Sequence, residues 1–130
     1  MNWLVVFELI VIVALIGYMV VWPIVRPRMV AKLIDNQEFN RKISENAQLI
    51  DVREAAHFRQ KHIMGARNIP VNQIKDSLSS FRKDKDILLY ENNRISLTTS
   101  AAAKLKKAGF KNIYILKTGL VKWGGKVKQG

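Results

Sequence analysis

The sequence predicts an α/β domain with a mostly parallel sheet, carried behind one N-terminal transmembrane helix. Two observations predict it. Residues 3–25, WLVVFELIVIVALIGYMVVWPIV, form an apolar run whose single charge is Glu8. From Leu33 onward, short apolar runs such as LIDV at 49–52, DILLY at 86–90 and IYIL at 113–116 alternate with amphipathic stretches. Strands and helices alternating at these lengths call for right-handed crossovers and parallel pairing.

The apolar run is long enough to span a bilayer. At about 1.5 Å per residue it makes a helix of roughly 34 Å, against a hydrocarbon core of about 30 Å. Trp3, Tyr18 and Trp22 stand near its two ends, as interfacial anchors do. A secretory signal peptide fits poorly, because no basic segment precedes the run and no small-x-small cleavage site follows it. Arg26, Arg28 and Lys32 come directly afterwards, so the positive-inside rule places the N-terminus outside and the remainder in the cytoplasm. Glu8 reads as a carboxylate snorkelling to the outer headgroups rather than an intramembrane site. Pro23 and Pro27 are expected to end the helix. That makes 1–25 the anchor, 26–32 a short basic juxtamembrane connection and 33–130 the folded domain.

Within the domain, Gln37–Ile43 is a short helix with Asp35 or Asn36 as its N-cap. Leu49–Val52 is a buried strand, Glu54–Lys61 is helical, and Ala66–Ile69 is extended until Pro70 stops it. Ile74, Leu78 and Phe81 stand four and three apart, a helical stripe over 72–81. Asp86–Tyr90 is the clearest buried strand. Thr98–Ala108 carries alanines, Leu105 and lysines at helical spacing, with Gly109 as its C-terminal stop. Ile113–Leu116 is a further strand, and Leu120–Trp123 begins a last short helix.

Charge and composition narrow the functions. The chain holds 22 Lys and Arg against 10 Asp and Glu, a net charge of +12, and its last thirty residues contain eight lysines and no acid. Such a face is either simply solvated or leans on an anionic inner leaflet, where each nearby cation adds about 1 kcal/mol. A nucleic-acid surface is disfavoured, because no aromatic stacking platform interleaves with the lysines. The absence of cysteine excludes disulfides, thiolate metal sites and cysteine nucleophiles together. His57 and His62 have no second ligating pair, so neither a metal nor a cofactor is expected.

Geometry directs attention to one loop. In open parallel sheets, ligands sit outside the carboxyl ends of the strands, where loops lead into helix N-termini. Glu91-Asn92-Asn93-Arg94-Ile95-Ser96-Leu97 joins the strongest strand to the alanine-rich helix, so its amides face the positive helix end.

Two longer segments then become informative. LIDVREAAHFRQKHIMGARNIP at 49–70 and FKNIYILKTGLVKWGG at 110–125 resemble the landmark segments of the rhodanese-like (sulfurtransferase) family. The resemblance covers roughly Leu33–Gly125. It implies a single domain around a central, roughly five-stranded parallel sheet flanked by helices. Lys61 departs from it where a glycine usually precedes the histidine, and Thr118 replaces the first of two common glycines.

The larger departure lies in the loop. Active members carry a pattern like Cys-x-x-Gly-x-Arg there, with a thiolate that accepts a sulfane sulfur among backbone amides. Counting forward from Tyr90 puts Glu91 at the cysteine position, Arg94 at the glycine and Ser96 at the arginine. Counting back from Ala101 puts Asn92 in the cysteine's place. Neither alignment supplies a thiol. A persulfide relay needs a soft sulfur nucleophile, which neither a carboxylate nor an amide provides. The family's phosphatase chemistry needs the same cysteine. Glu91 either docks into the amide cradle in place of an anion or points to water. The resemblance further implies that Asp51 and Arg53 brace the loop, with a residual anion contact as the other reading of Arg53. His62 is expected to support the turn before Gly65, and Trp123 to pack in the core.

The expected function is accordingly a non-catalytic, membrane-tethered module that binds a protein partner or organises an assembly at the inner face of a bacterial membrane. The alternative is an accessory domain in sulfur transfer whose partner supplies the cysteine. An enzyme using Glu91 with Arg94 or Arg53 is disfavoured, since the loop offers no acid–base pair or metal.

Overall fold

The apolar run folds into one continuous 28-residue helix, α1 (Trp3–Val30), in a computed structural model that describes residues 2–130. Met1, counted within the 1–25 anchor segment, lies outside the described residues. Asn2 starts the helix, its side-chain oxygen accepting a hydrogen bond from the Leu4 amide at 3.0 Å. The helix is long and apolar enough to cross a membrane, and its large apolar side chains stand exposed along its length.

Pro23 and Pro27 do not end it, which corrects the expected break. No separate connection occupies 26–32, because the helix runs to Val30 and a strand begins at Lys32. Each proline deletes one rung of the helical ladder. Local contacts hold the helix together around the gaps. Pro27 is buried, Val30 and Ala31 pack against the domain core, and the Arg28 guanidinium donates to the Ile24 carbonyl at 2.7 Å. At the helix end the Lys106 ammonium donates to the Met29 carbonyl at 2.5 Å, a cation placed where the helix dipole is negative.

The remaining elements follow as β1 (Lys32–Ile34), α2 (Asn36–Ser44), β2 (Gln48–Asp51), α3 (Ala55–Gln60), β3 (Lys61–Ile63), β4 (Arg67–Asn68), β5 (Ile87–Tyr90), α4 (Ser96–Lys107), β6 (Ile113–Leu116) and β7 (Val127–Gln129). Five strands form one parallel sheet in the order β1–β6–β5–β2–β4, the α/β architecture read from the alternating pattern. β3 and β7 pair antiparallel in a separate two-stranded sheet. Asp35 caps α2 by accepting from the Glu38 amide at 2.9 Å. Gly109 follows α4 at φ +97, the left-handed position that ends helices.

Alternate side chains of each strand feed two cores, one on each face of the sheet. Ile50, Ile87, Leu89 and Ile115 meet Ala101, Ala102 and Leu105 of α4 on one face. Leu49, Leu88, Tyr90 and Leu116 meet Phe39 of α2 on the other. Residues 72–81 differ from the expected helix. They form two short 3₁₀ segments, Val71–Gln73 and Lys75–Ser80, with Ser77 outside helical geometry. Ile74 and Phe81 are buried all the same, so core contact was legible there while the tighter backbone was not.

Candidate functional site at the carboxyl ends of the central strands

β2 and β5 are neighbours, and their register sets Asp51 beside Tyr90. The two segments that leave the sheet there, Val52-Arg53 and Glu91-Asn92, therefore run side by side outside the carboxyl ends of the strands. This is the position where open parallel sheets hold ligands.

The loop 91–95 is closed from within. The N-cap residue of α4 is Ile95, whose side chain has nothing to donate or accept. Glu91 fills the role from four residues earlier: its carboxylate accepts from the Thr98 backbone amide at 2.8 Å. Glu91 is 5% exposed, so the inward placement, not the solvent-facing one, is what the chain adopts. Burial pushes its carboxyl above the usual carboxylate range, against the pull of the Thr98 and Leu97 amides and of the nearby Arg94 charge. Thr98 and Thr99 turn their hydroxyls to the Ile95 carbonyl.

Asn92, the other position that aligns with a cysteine, is tied differently. Its side-chain oxygen accepts from the Arg53 guanidinium at 2.9 Å. The same guanidinium grips the fully buried Asp51 carboxylate at 2.7 Å and donates to the Lys61 carbonyl at 2.6 Å. Asp51 also accepts from the Arg53 backbone amide at 2.9 Å, and the Asn68 amide group holds the Asp51 and Arg53 carbonyls. Every nitrogen of the Arg53 side chain is engaged inside the protein. Its charge is matched by a buried partner, an arrangement that braces the loop rather than presenting a cation to solvent.

A turn clamps the loop from the other side. The Leu120 and Val121 amides donate to the Glu91 and Asn92 carbonyls at 2.8 and 2.9 Å. The approach requires Gly119, at φ +74, where an added Cβ would lie 2.1 Å from the Asn92 carbonyl oxygen. Thr118, by contrast, bonds to the Asn36 side chain at 3.2 Å, so losing a glycine at that position is absorbed by α2. Asn93, Arg94 and Ser96 are exposed, and Ile95 packs partly against the α4-side core.

The flanking residues play supporting parts. His62 stacks on Phe58 with ring centroids 3.8 Å apart and bonds the Phe58 carbonyl through Nδ1 at 2.7 Å, fastening α3 to β3. Trp123, partly buried, packs edge-on against Phe39 at 5.7 Å, on the margin of the second core. The Tyr90 hydroxyl accepts from the Ile63 amide at 3.0 Å, and burial together with the Asp51 charge pushes its phenol up. Among the described residues no group of three His, Cys, Asp or Glu is placed to hold a metal.

Three features of this site are not legible from sequence spacing: the Arg53–Asn92 bond, the Gly119 approach and a neighbour from α1. Trp22, Arg26 and Pro27 of α1 share a cleft of about 510 Å³ with Arg94, Ile95 and Ser96.

Comparison with known proteins fits this geometry. The profile of the Rhodanese-like domain family matches residues 35–126. The chain belongs to the rhodanese-like domain family. It is 43% identical over 120 residues to the uncharacterized protein YqhL of Bacillus subtilis, covering 92% of this chain and 93% of that one. Its fold is similar to the crystal structure of the BH2092 protein of Bacillus halodurans, with a TM-score of 0.68, 27% identity and coverage of 89% and 84%. The solution structure of the rhodanese-like domain of the Alr3790 protein from Anabaena matches with a TM-score of 0.67 at 28% identity, covering 75% and 79%. Within that family this chain is a cysteine-free member, so the fold is retained without a thiol to serve as nucleophile.

Proposed function

We propose that this chain is a non-catalytic, membrane-tethered rhodanese-like module that acts in protein interaction or scaffolding at the cytoplasmic face of a bacterial membrane. One observation carries the non-catalytic reading. The chain lacks cysteine, and the amide at the N-terminus of α4 that would face an anion is bonded instead to the Glu91 carboxylate. A carboxylate fixed in that position has no sulfur to accept or hand on.

The tether reading is supported by how α1 joins the domain. The helix enters the first strand without a linker, and Pro27, Val30 and Ala31 are built into the domain's packing. A segment destined for removal by a signal peptidase has no use for such contacts. Arg28, Lys32, Lys106, Lys111 and Lys117 surround the helix exit around a cleft of about 730 Å³ that no acidic residue lines. This basic rim supports N-out orientation and attraction to anionic lipid, to which the C-terminal lysines contribute.

The decisive assay is sulfur transfer from thiosulfate to cyanide by the purified chain. The expected rate is that of buffer alone, and clear turnover would overturn the reading. Topology is tested by labelling single cysteines in intact cells: Asn2→Cys should react with an impermeant reagent and Lys32→Cys should not. Crosslinking in native membranes should recover a defined protein partner. Recovery of abundant bystanders alone would count against the scaffold role.

A further inference from the structure

The relative direction of two helices has a consequence for where the loop lies. Near its end α1 runs beside α4 in the same sense: Trp22 and Arg26 share a cleft with Arg94 and Ser96, while Met29 meets Lys106. The N-terminus of α4 is thus at the level of Trp22, and its C-terminus lies farther from the apolar run. A hydrocarbon core of about 30 Å takes up about 20 helical residues. Counted from Trp3, the apolar stretch that fills it ends at Trp22. The loop in which the family keeps its chemistry is therefore turned toward the bilayer surface.

The cleft at that level has a consistent chemistry. Two guanidinium groups, Arg26 and Arg94, come from its two walls, and no acidic side chain lines it. Among the described residues neither guanidinium has a hydrogen-bond partner or a carboxylate within ion-pair distance. Glu91, which feels the Arg94 charge, is committed to the Thr98 amide. Trp22, Pro23, Pro27 and Ile95 add apolar lining. Two unpaired guanidiniums beside apolar lining at the water–lipid boundary match an anionic phosphate whose other end is greasy, since arginine binds phosphate through paired N–H donors.

We propose that the cleft between α1 and residues 94–99 seats the headgroup phosphate of an anionic phospholipid, held by Arg26 and Arg94. The seat is separate from the amide position that Glu91 occupies. It rests on the reading of α1 as a membrane anchor, and it gives the outer part of the loop a lipid to bind. Lipid binding also fixes the face of the domain that remains available to a protein partner.

The full chain in neutral detergent micelles, with 15N-labelled arginine, tests this. Titration with short-chain phosphatidylglycerol should give saturable shifts of the Arg94 and Arg26 side-chain N–H signals, with far weaker effects from phosphatidylcholine of the same chain length. Arg26→Gln and Arg94→Gln should each weaken the binding by about fivefold, and Arg82→Gln, remote from the cleft, should leave it unchanged. Equal binding of phosphatidylcholine, or unchanged affinity in both cleft variants, would overturn the proposal. So would inorganic phosphate that binds as tightly as the lipid, because the seat would then be a plain anion site. Alkaline carbonate extraction of native membranes separates the two readings. Release of the chain would overturn the anchor and the seat together, whereas retention without lipid discrimination would overturn the seat alone.

Discussion

The Glu91 carboxylate accepts a hydrogen bond from the Thr98 backbone amide at 2.8 Å, joining the end of the central strand to the first turn of the helix that follows it. One bond does two jobs. It caps a helix whose own N-cap residue is an isoleucine, and it places the chain's own carboxyl group at the head of that helix.

Two substitutions at Glu91 should therefore diverge. Glu91→Ala removes the acceptor and leaves a buried amide without a partner, at a cost of about 1–3 kcal/mol in urea or thermal unfolding. Glu91→Gln keeps an acceptor of the same shape and removes the charge that burial disfavours, so stability at neutral pH should be equal or higher. The sign of the pH dependence follows from the raised carboxyl. A group whose folded value lies above its unfolded value contributes stability that is full below about pH 4.5 and lost as pH rises through the folded value. The stability of the native chain relative to Glu91→Gln should thus decline as pH rises above 4.5, measured by unfolding of both proteins across that window.

Arg53 should be among the most sensitive positions in the domain. Its removal in Arg53→Ala strands the Asp51 carboxylate, which is 0% exposed, and frees Asn92 from the loop brace. A loss on the order of 3–5 kcal/mol is expected in equilibrium unfolding. Arg53→Lys keeps the charge but not the fork that reaches Asp51, Asn92 and Lys61 together, so it should recover only part of the loss.

Gly119 and Gly124 should differ sharply in their sensitivity to the same change. Gly119→Ala sets a Cβ against the Asn92 carbonyl at 2.1 Å in a backbone conformation that suits glycine. It should destabilise the domain by about 1–3 kcal/mol or more and shift the Thr98 amide resonance as the loop moves. Gly124→Ala meets nothing within 4 Å and has no positive φ, so unfolding should register little change.

How far the sequence revealed this structure depended on whether the signal was local. β2, β5 and β6 announced themselves as apolar runs because each is buried on both faces of a parallel sheet. α4 and its glycine stop were equally plain. β1, β3 and β7 were not, since KLI, KHI and VKQ are three-residue strands of mixed polarity that exist only through distant partners. The prolines misled because proline's penalty is local, whereas the packing that carries α1 past them comes from α4 and the core, some 70 residues away. At the site, the missing thiol was readable from the loop itself, whereas the inward turn of Glu91 was one of two open readings until its bond to the Thr98 amide was seen. The Arg53–Asn92 bond spans 39 residues, and the Gly119 contact with Asn92 joins two loops, so neither leaves a periodic trace.

The claim on which the account turns is that the chain's own carboxylate closes the anion position at the head of α4. An amide 15N titration of the full-length protein with thiosulfate tests it most directly, with Leu97 and Thr98 as reporters. The account predicts that these resonances stay still in the native chain and move in a saturable way once Glu91→Ala removes the carboxylate. A saturable shift of the Thr98 amide in the unmodified protein would contradict it.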